Sequence, residues 1–307
     1  MTTNNEIFMN PYTDFGFKKL FGTEPNKDIL ISFLNSVFQG RRSPIVDLKY
    51  LNTEVLGPYY GDRNSVFDVY CTTKDKGHFI VEMQRSEQPY FKDRTVYYAS
   101  AAIVHQAPKG PWDYELDEVC VIGILNFVFP DHEYPNDSYL HEVTLIDKKD
   151  KHTFNQKLTF YYLEMPKFTK TEPELVTMLD KWLYVVKNIC YLLEQPKELQ
   201  ERVFTQFFEE ARIGMFNEEE RFAYEESRKH LWDNYSTLTF AYDKGEKSGI
   251  VKGKEIGLAE GKKLGIAEGK ELGIEETKKE TARKMLSSGM TKEAILEMMG
   301  WSEDVFS

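Results

Sequence analysis

The sequence predicts a mixed α/β (α+β) chain: paired helices, a run of strands interrupted by one helix, a helical layer and a repetitive helical tail. Three observations predict it. Apolar residues recur at helical spacing up to Phe38, change to strand-like runs from Ile45, and return to helical spacing after Pro173. From Gly245 onwards glycine falls at every fourth position, which marks the tail as a different kind of segment.

In chain order, residues 1–13 form a ragged entry. Thr13 or Asp14 caps a first helix, whose apolar stripe is Phe17, Leu20 and Phe21. Ile29, Leu30, Phe33, Leu34, Val37 and Phe38 mark a second helix. Strands are expected over Ile45 to Leu51, Ser65 to Thr72 and His78 to Gln84, the last two joined by the turn-rich segment Thr73-Lys74-Asp75-Lys76-Gly77. Phe91 to Gln106 reads as a helix with a small-residue face of Ala99, Ala101 and Ala102. Val119 to Phe129 is almost continuously apolar, as a central strand covered on both faces would be. Val143 to Ile146 and Leu158 to Leu163 are further strands. After Pro173, Leu175, Met178, Leu179, Trp182, Leu183 and Val186 line one helical face.

Eight glycines from 245 to 273 keep a four-residue period, filled by Lys, Glu and aliphatics. On a helix they drift slowly around the axis, and each costs about 1 kcal/mol against Ala. Two readings stay open: a solvated, semi-flexible helical linker, or close helix–helix packing that makes a homodimer. Glu276 to Ser288, stopped by Gly289, and Lys292 to Met299, capped by Thr291 and stopped by Gly300, form a terminal hairpin. Its exposed positions are not notably basic, which favours a dimerising or partner-binding hairpin over a DNA-reading helix-turn-helix. The expected segments are a core over 1–170, a helical layer packed on it over 171–242, a Gly-x-x-x-Gly linker or helix over 243–275, and the hairpin over 276–307.

Composition narrows the function. The 307 residues are 41% hydrophobic and 14% aromatic, enough for a folded core. The net charge of −11 argues against a generic basic nucleic-acid coat, so a DNA groove would be a local patch. Cys71, Cys120 and Cys190 are far apart in apolar runs, the pattern of buried free thiols rather than of a zinc site or disulfide framework. No apolar run reaches the ~18 residues of a membrane span. The opening MTTNNEIFMNPYTDF does not read as a signal peptide, so a cytoplasmic protein with no membrane partner is expected. The six histidines are scattered, and neither a Ser or Cys nucleophile motif nor a phosphate-binding Gly-x-x-x-x-Gly-Lys-Ser/Thr loop occurs.

One constellation carries chemistry. With the hairpin turn centred on Asp75, Asp68 lies opposite Glu82, and Gln84 points the same way two residues on. On this reading Val66, Asp68 and Tyr70 share one face and Phe67, Val69 and Cys71 the other, while Phe79, Val81 and Met83 turn to the core. Like charges directly opposite destabilise a sheet, and a divalent cation would remove the conflict. Carboxylate oxygens suit Mg²⁺, which keeps several waters and binds substrate phosphate. Gln84 could position water or phosphate but cannot be a general base. The spacing alone equally allows a solvated hairpin face with ordinary polar residues.

A resemblance separates the two. Asn10-Pro11-Tyr12-Thr13-Asp14-Phe15-Gly16-Phe17-Lys18-Lys19-Leu20-Phe21-Gly22 resembles the opening of the Rpn family, recombination-promoting nucleases also described as transposases, within the PD-(D/E)XK nuclease superfamily. So do Ser65-Val66-Phe67-Asp68-Val69, Phe79-Ile80-Val81-Glu82-Met83-Gln84, and Arg94 with Tyr97 and Tyr98. The Gly-repeat tail and hairpin resemble the same family's C-terminal end. The resemblance implies a restriction-endonuclease-like αβββαβ core and a metal-dependent DNA endonuclease linked to recombination or transposition, with Mg²⁺ or Mn²⁺ as cofactor and DNA as partner. It implies that Asp68 and Glu82 are the metal-binding catalytic carboxylates and that Gln84 stands where many members carry Lys. Asp14 or Glu54 would complete the site. Lys18 would reach phosphate or remain a surface lysine. Arg94 would bind a DNA phosphate or pair with a carboxylate to hold its helix on the sheet. The missing lysine and the acidic charge leave an alternative: a nuclease fold that binds or assembles without cutting.

Overall fold

The structure is a computed structural model and describes residues 6–55, 65–108, 110–130 and 137–306. The first five residues of the expected ragged entry lie outside them. The chain divides into two compact units at Leu231/Trp232.

The first unit is built on a six-stranded sheet in the order β1-β4-β5-β6-β8-β7: Leu48–Tyr50, Val69–Thr73, His78–Gln84, Val119–Leu125, Thr153–Glu164 and Leu140–Ile146. β1, β4 and β5 form an antiparallel meander. Helix α3 (Phe91–Val104) then returns the chain so that β6 runs parallel to β5, and β8 parallel to β6. With helix α1 (Asp14–Phe21) in front, this is the αβββαβ order expected. A short ladder of β2 (Glu54–Val55) with β3 (Ser65–Val66) stands apart from the main sheet.

Both faces of the sheet are covered, so the central strand β6 is apolar throughout. On one face Val69, Cys71, Phe79, Val81, Ile122 and Leu163 pack with α1, α2 (Lys27–Phe38), α4 (Met178–Asn188) and α5 (Arg202–Ala211). Trp182 is fully buried there, edge-on to Phe33 with centroids 6.0 Å apart. On the other face Tyr70, Ile80, Val121, Phe160 and Tyr162 pack with Phe91, Ala99 and Ala102 of α3. Helices α4 and α5 thus share the core of the sheet.

The structure corrects several sequence expectations. Ser65 to Thr72 is not one strand: β3 pairs with β2, the chain bends at Asp68, and only from Val69 does it join the main sheet. The bend turns Phe67 onto the Tyr70 face, 5.2 Å between centroids, rather than onto that of Val69 and Cys71. The first strand shrinks to β1 because Asn35 captures the backbone of Ile45, its amide donating to the carbonyl and its oxygen accepting from the N–H, each at 2.8 Å. β8 begins earlier than expected because its ladder with β7 continues past irregularities beside Leu145, and β7 begins at Leu140, which pairs with Leu163. Met178, the first residue of α4, is 37% exposed instead of lining the apolar face.

Helix α6 runs from Glu218 to Ser287, through the glycine repeat. In the second unit Gly289 (φ +93°) ends it, and α7 (Lys292–Met299) follows with Thr291 as its cap and Gly300 (φ +63°) as its stop. Ala282, Ile295 and Val305 are buried in this small hairpin.

Candidate active site

The site starts from a rigid turn. Asn10 Oδ1 accepts the Tyr12 N–H at 2.9 Å, and the Asn10 carbonyl accepts the Thr13 hydroxyl at 2.8 Å. Thr13 Oγ1 in turn caps the Gly16 N–H at 3.0 Å and so starts α1. Only glycine fits at residue 16: a Cβ there would lie 2.4 Å from the Asn10 carbonyl oxygen. This turn fixes Asp14 and Lys18, which pair at 2.7 Å on the exposed side of α1.

The β4–β5 register, Val69 with Val81 and Tyr70 with Ile80, extends to Asp68 opposite Glu82. Side chains complete the ladder there. The Asp68 N–H donates to Glu82 Oε1 at 3.1 Å, and the Met83 N–H donates to Asp68 Oδ2 at 2.9 Å. Each carboxylate therefore spends one oxygen on a backbone N–H. Among the described residues no donor is bonded to Asp68 Oδ1 or Glu82 Oε2.

Burial sets the electrostatics. Glu82 is 6% exposed and Asp68 half-buried. Desolvation pushes the Glu82 carboxyl well above its ordinary range, and the Asp68 charge pushes it further. Asp68 is raised mainly by desolvation and also by Asp14, with the Met83 N–H opposing. The positive charges of Lys18 and Arg94 draw both carboxyls down but do not cancel the burial. Charges from α1 and α3 thus meet at the β4–β5 pair, and Asp14, Lys18, Asp68, Glu82 and Arg94 form one electrostatic cluster.

Gln84, also buried, is held at both ends. Its amide donates to the Ser86 carbonyl at 2.8 Å, and its Oε1 accepts from Arg94 Nη2. Arg94 Nη1 donates to Gln88 Oε1 at 2.7 Å. Of the two roles expected for Arg94, the ion pair with a carboxylate is therefore replaced by a bond to a carboxamide. The same contact ties α3 to the end of β5. Glu54 sits exposed on β2 opposite Val66, and Asp14 rather than Glu54 is the acidic neighbour whose charge acts on Asp68.

The model of the PD-(D/E)XK nuclease family transposases matches residues 11–241, well over half of the chain. The chain belongs to this family. No curated protein and no solved structure matches it. The matched segment contains α1, β2, the β4–β5 hairpin and α3, and every candidate site residue. It ends before Gly245, so the likeness of the tail to the family stands outside this finding. In the motif that gives the family its name, an acid precedes a variable residue and lysine; here the order is Glu82-Met83-Gln84.

A divalent cation fits the donors present. Two carboxylates with one uncommitted oxygen each match the few protein ligands that Mg²⁺ takes while keeping water and phosphate oxygens. Among the described residues no cluster of three or more His, Cys, Asp or Glu is placed to hold a metal. Sequence reasoning missed Gln88, the second partner of Arg94. Its only signal is its position just ahead of α3. No helix among the described residues is long and apolar enough to cross a membrane.

Proposed function

We propose that the protein is a divalent-metal-dependent DNA endonuclease acting in recombination or transposition. The observation that carries this is the Asp68–Glu82 pair: two carboxylates held opposite one another by backbone N–H groups, desolvated, and each with an oxygen to give. Asp68 and Glu82 would hold Mg²⁺ or Mn²⁺, which on binding supplies charge neutralisation at phosphate and an acidified water. Asp14, whose charge acts on Asp68, would act on the bound cation from outside its ligand set. Lys18, half-exposed, paired with Asp14 and felt by both carboxyls, would meet a DNA phosphate in place of the missing lysine. Gln84 orients Arg94, and through it the phosphate-facing edge of α3. Plasmid nicking with Mg²⁺ or Mn²⁺ tests the reading. Wild type cuts, whereas Asp68→Ala and Glu82→Ala lose activity by at least about a hundredfold; equal cutting by all three would remove these residues from the chemistry.

One observation favours a second reading, a nuclease fold that binds or assembles without cutting. Both ends of Gln84 are engaged within the protein, which ties its carboxamide to Ser86 and Arg94 rather than to a reacting water. Tight, metal-independent duplex binding without cleavage would favour that reading. Self-association through the tail belongs to either reading. Ile250, Ile256, Leu258, Leu264, Ile266, Leu272 and Ile274 are each more than half exposed, an apolar surface that a second copy would cover.

A further inference from the structure

At the start of α3 lies a cavity of about 570 Å³, walled by Gln88, Tyr90, Phe91, Lys92, Phe127 and Phe129. Its size falls within the roughly 300–1,000 Å³ of small-molecule sites. Phe91 and Phe127 meet edge to face at 5.8 Å, and Phe127 and Phe129 at 5.9 Å. The wall is fixed from behind. The Phe129 N–H donates to the buried Glu164 carboxylate, which His141 Nε2 holds at 2.8 Å and Lys167 Nζ at 2.6 Å. Lys92 Nζ stands 4.4 Å over the Phe129 ring. Tyr90, which also lines the cavity, holds a left-handed conformation (φ +63°) at the start of α3 and is 80% exposed.

The geometry points to a nucleobase subsite: an unstacked base of single-stranded DNA inserts beside Tyr90 and Phe127 while its phosphate lies towards Arg94. This deepens the endonuclease reading and rests on it. Continuity carries the argument. Gln88 is at once a wall of the cavity and the acceptor for Arg94 Nη1, and Arg94 Nη2 reaches Gln84 on the strand that bears Glu82. A base in the cavity would therefore place its strand across Arg94 towards the carboxylate pair. Aromatic faces take any base by stacking. The Glu87 and Asp93 carboxylates on the rim repel phosphate but accept from exocyclic amino groups, which selects a base rather than the backbone as occupant.

Binding of the full chain without divalent metal tests this, using a short oligodeoxyadenosine strand, its abasic counterpart and a blunt duplex. Tyr90→Ala, and Phe127→Leu as a variant that keeps apolar volume, should each weaken the oligodeoxyadenosine complex about tenfold and leave the abasic strand and the duplex unchanged. Unchanged affinity for oligodeoxyadenosine, or equal weakening for all three probes, would overturn the subsite. Failure of the endonuclease reading is seen separately, in metal-dependent nicking that Asp68→Ala does not affect.

Discussion

At the scale of single residues, the site is defined by a conflict that the protein alone does not resolve. Asp68 and Glu82 face one another across the end of a hairpin, both desolvated, with no ammonium or guanidinium among the described residues bonded to either. Because their folded carboxyls titrate higher than in the unfolded chain, the folded state binds more protons, and its stability falls as pH rises from the ordinary carboxylate range towards the raised value. Metal-free wild type should therefore become easier to unfold with urea between about pH 5 and pH 9. Glu82→Gln, which keeps the acceptor for the Asp68 N–H, should flatten that decline by about 1 kcal/mol or more at the alkaline end. Parallel pH profiles for the two proteins would mean that the pair is not strained. The pairing of Asp68 with Glu82 was legible in the sequence because one tight turn, Thr73 to Gly77, sets the register. The bonds of Gln84 to Arg94 and of Arg94 to Gln88 were not, since long side chains choose partners only once α3 has docked.

At the scale of elements, glycine has opposite meanings at the two ends of the chain. Gly16 is enclosed, so Gly16→Ala must displace the Asn10 carbonyl or the Thr13 cap; it should cost about 1–3 kcal/mol in urea unfolding and disturb the placement of Asp14 and Lys18. A loss within about 0.5 kcal/mol would show that the turn yields freely. The repeat glycines meet nothing: a Cβ at Gly253, Gly257 or Gly261 has no neighbour within 4 Å. Replacing these three with Ala should raise helicity by circular dichroism, each by the ~1 kcal/mol propensity difference. A fall in solution mass on the same substitutions would instead mean that the glycines pack against a second copy. The helices and central strands were legible from periodicity, whereas the break at Asp68 was not. Its cause is a side chain taking a ladder position, Asp68 Oδ2 on the Met83 N–H, which hydropathy does not report.

At the scale of the whole molecule, the family match and the compact units divide the chain in nearly the same place. The matched residues end at 241 and the first unit at Leu231, so the sheet, its helices and the candidate site belong to one body. Deleting residues 243–307 should leave that body folded, with its thermal transition retained, and should reduce the mass measured by light scattering to that of one chain. An unchanged mass would place self-association elsewhere. The net charge of −11 adds a further constraint, because a polyanionic substrate approaches an acidic protein only where a cation or a local basic edge reverses the sign. The cluster of Lys18 and Arg94 around two carboxylates supplies that edge only if the carboxylates are themselves neutralised. Metal uptake by this pair is thus the central claim, and electron paramagnetic resonance of Mn²⁺ titrated into the protein measures it without requiring turnover. Wild type should remove the free Mn²⁺ signal at one site per chain, while Asp68→Asn and Glu82→Gln, both folded, should each weaken uptake at least about tenfold. Equal uptake by all three proteins would contradict the account.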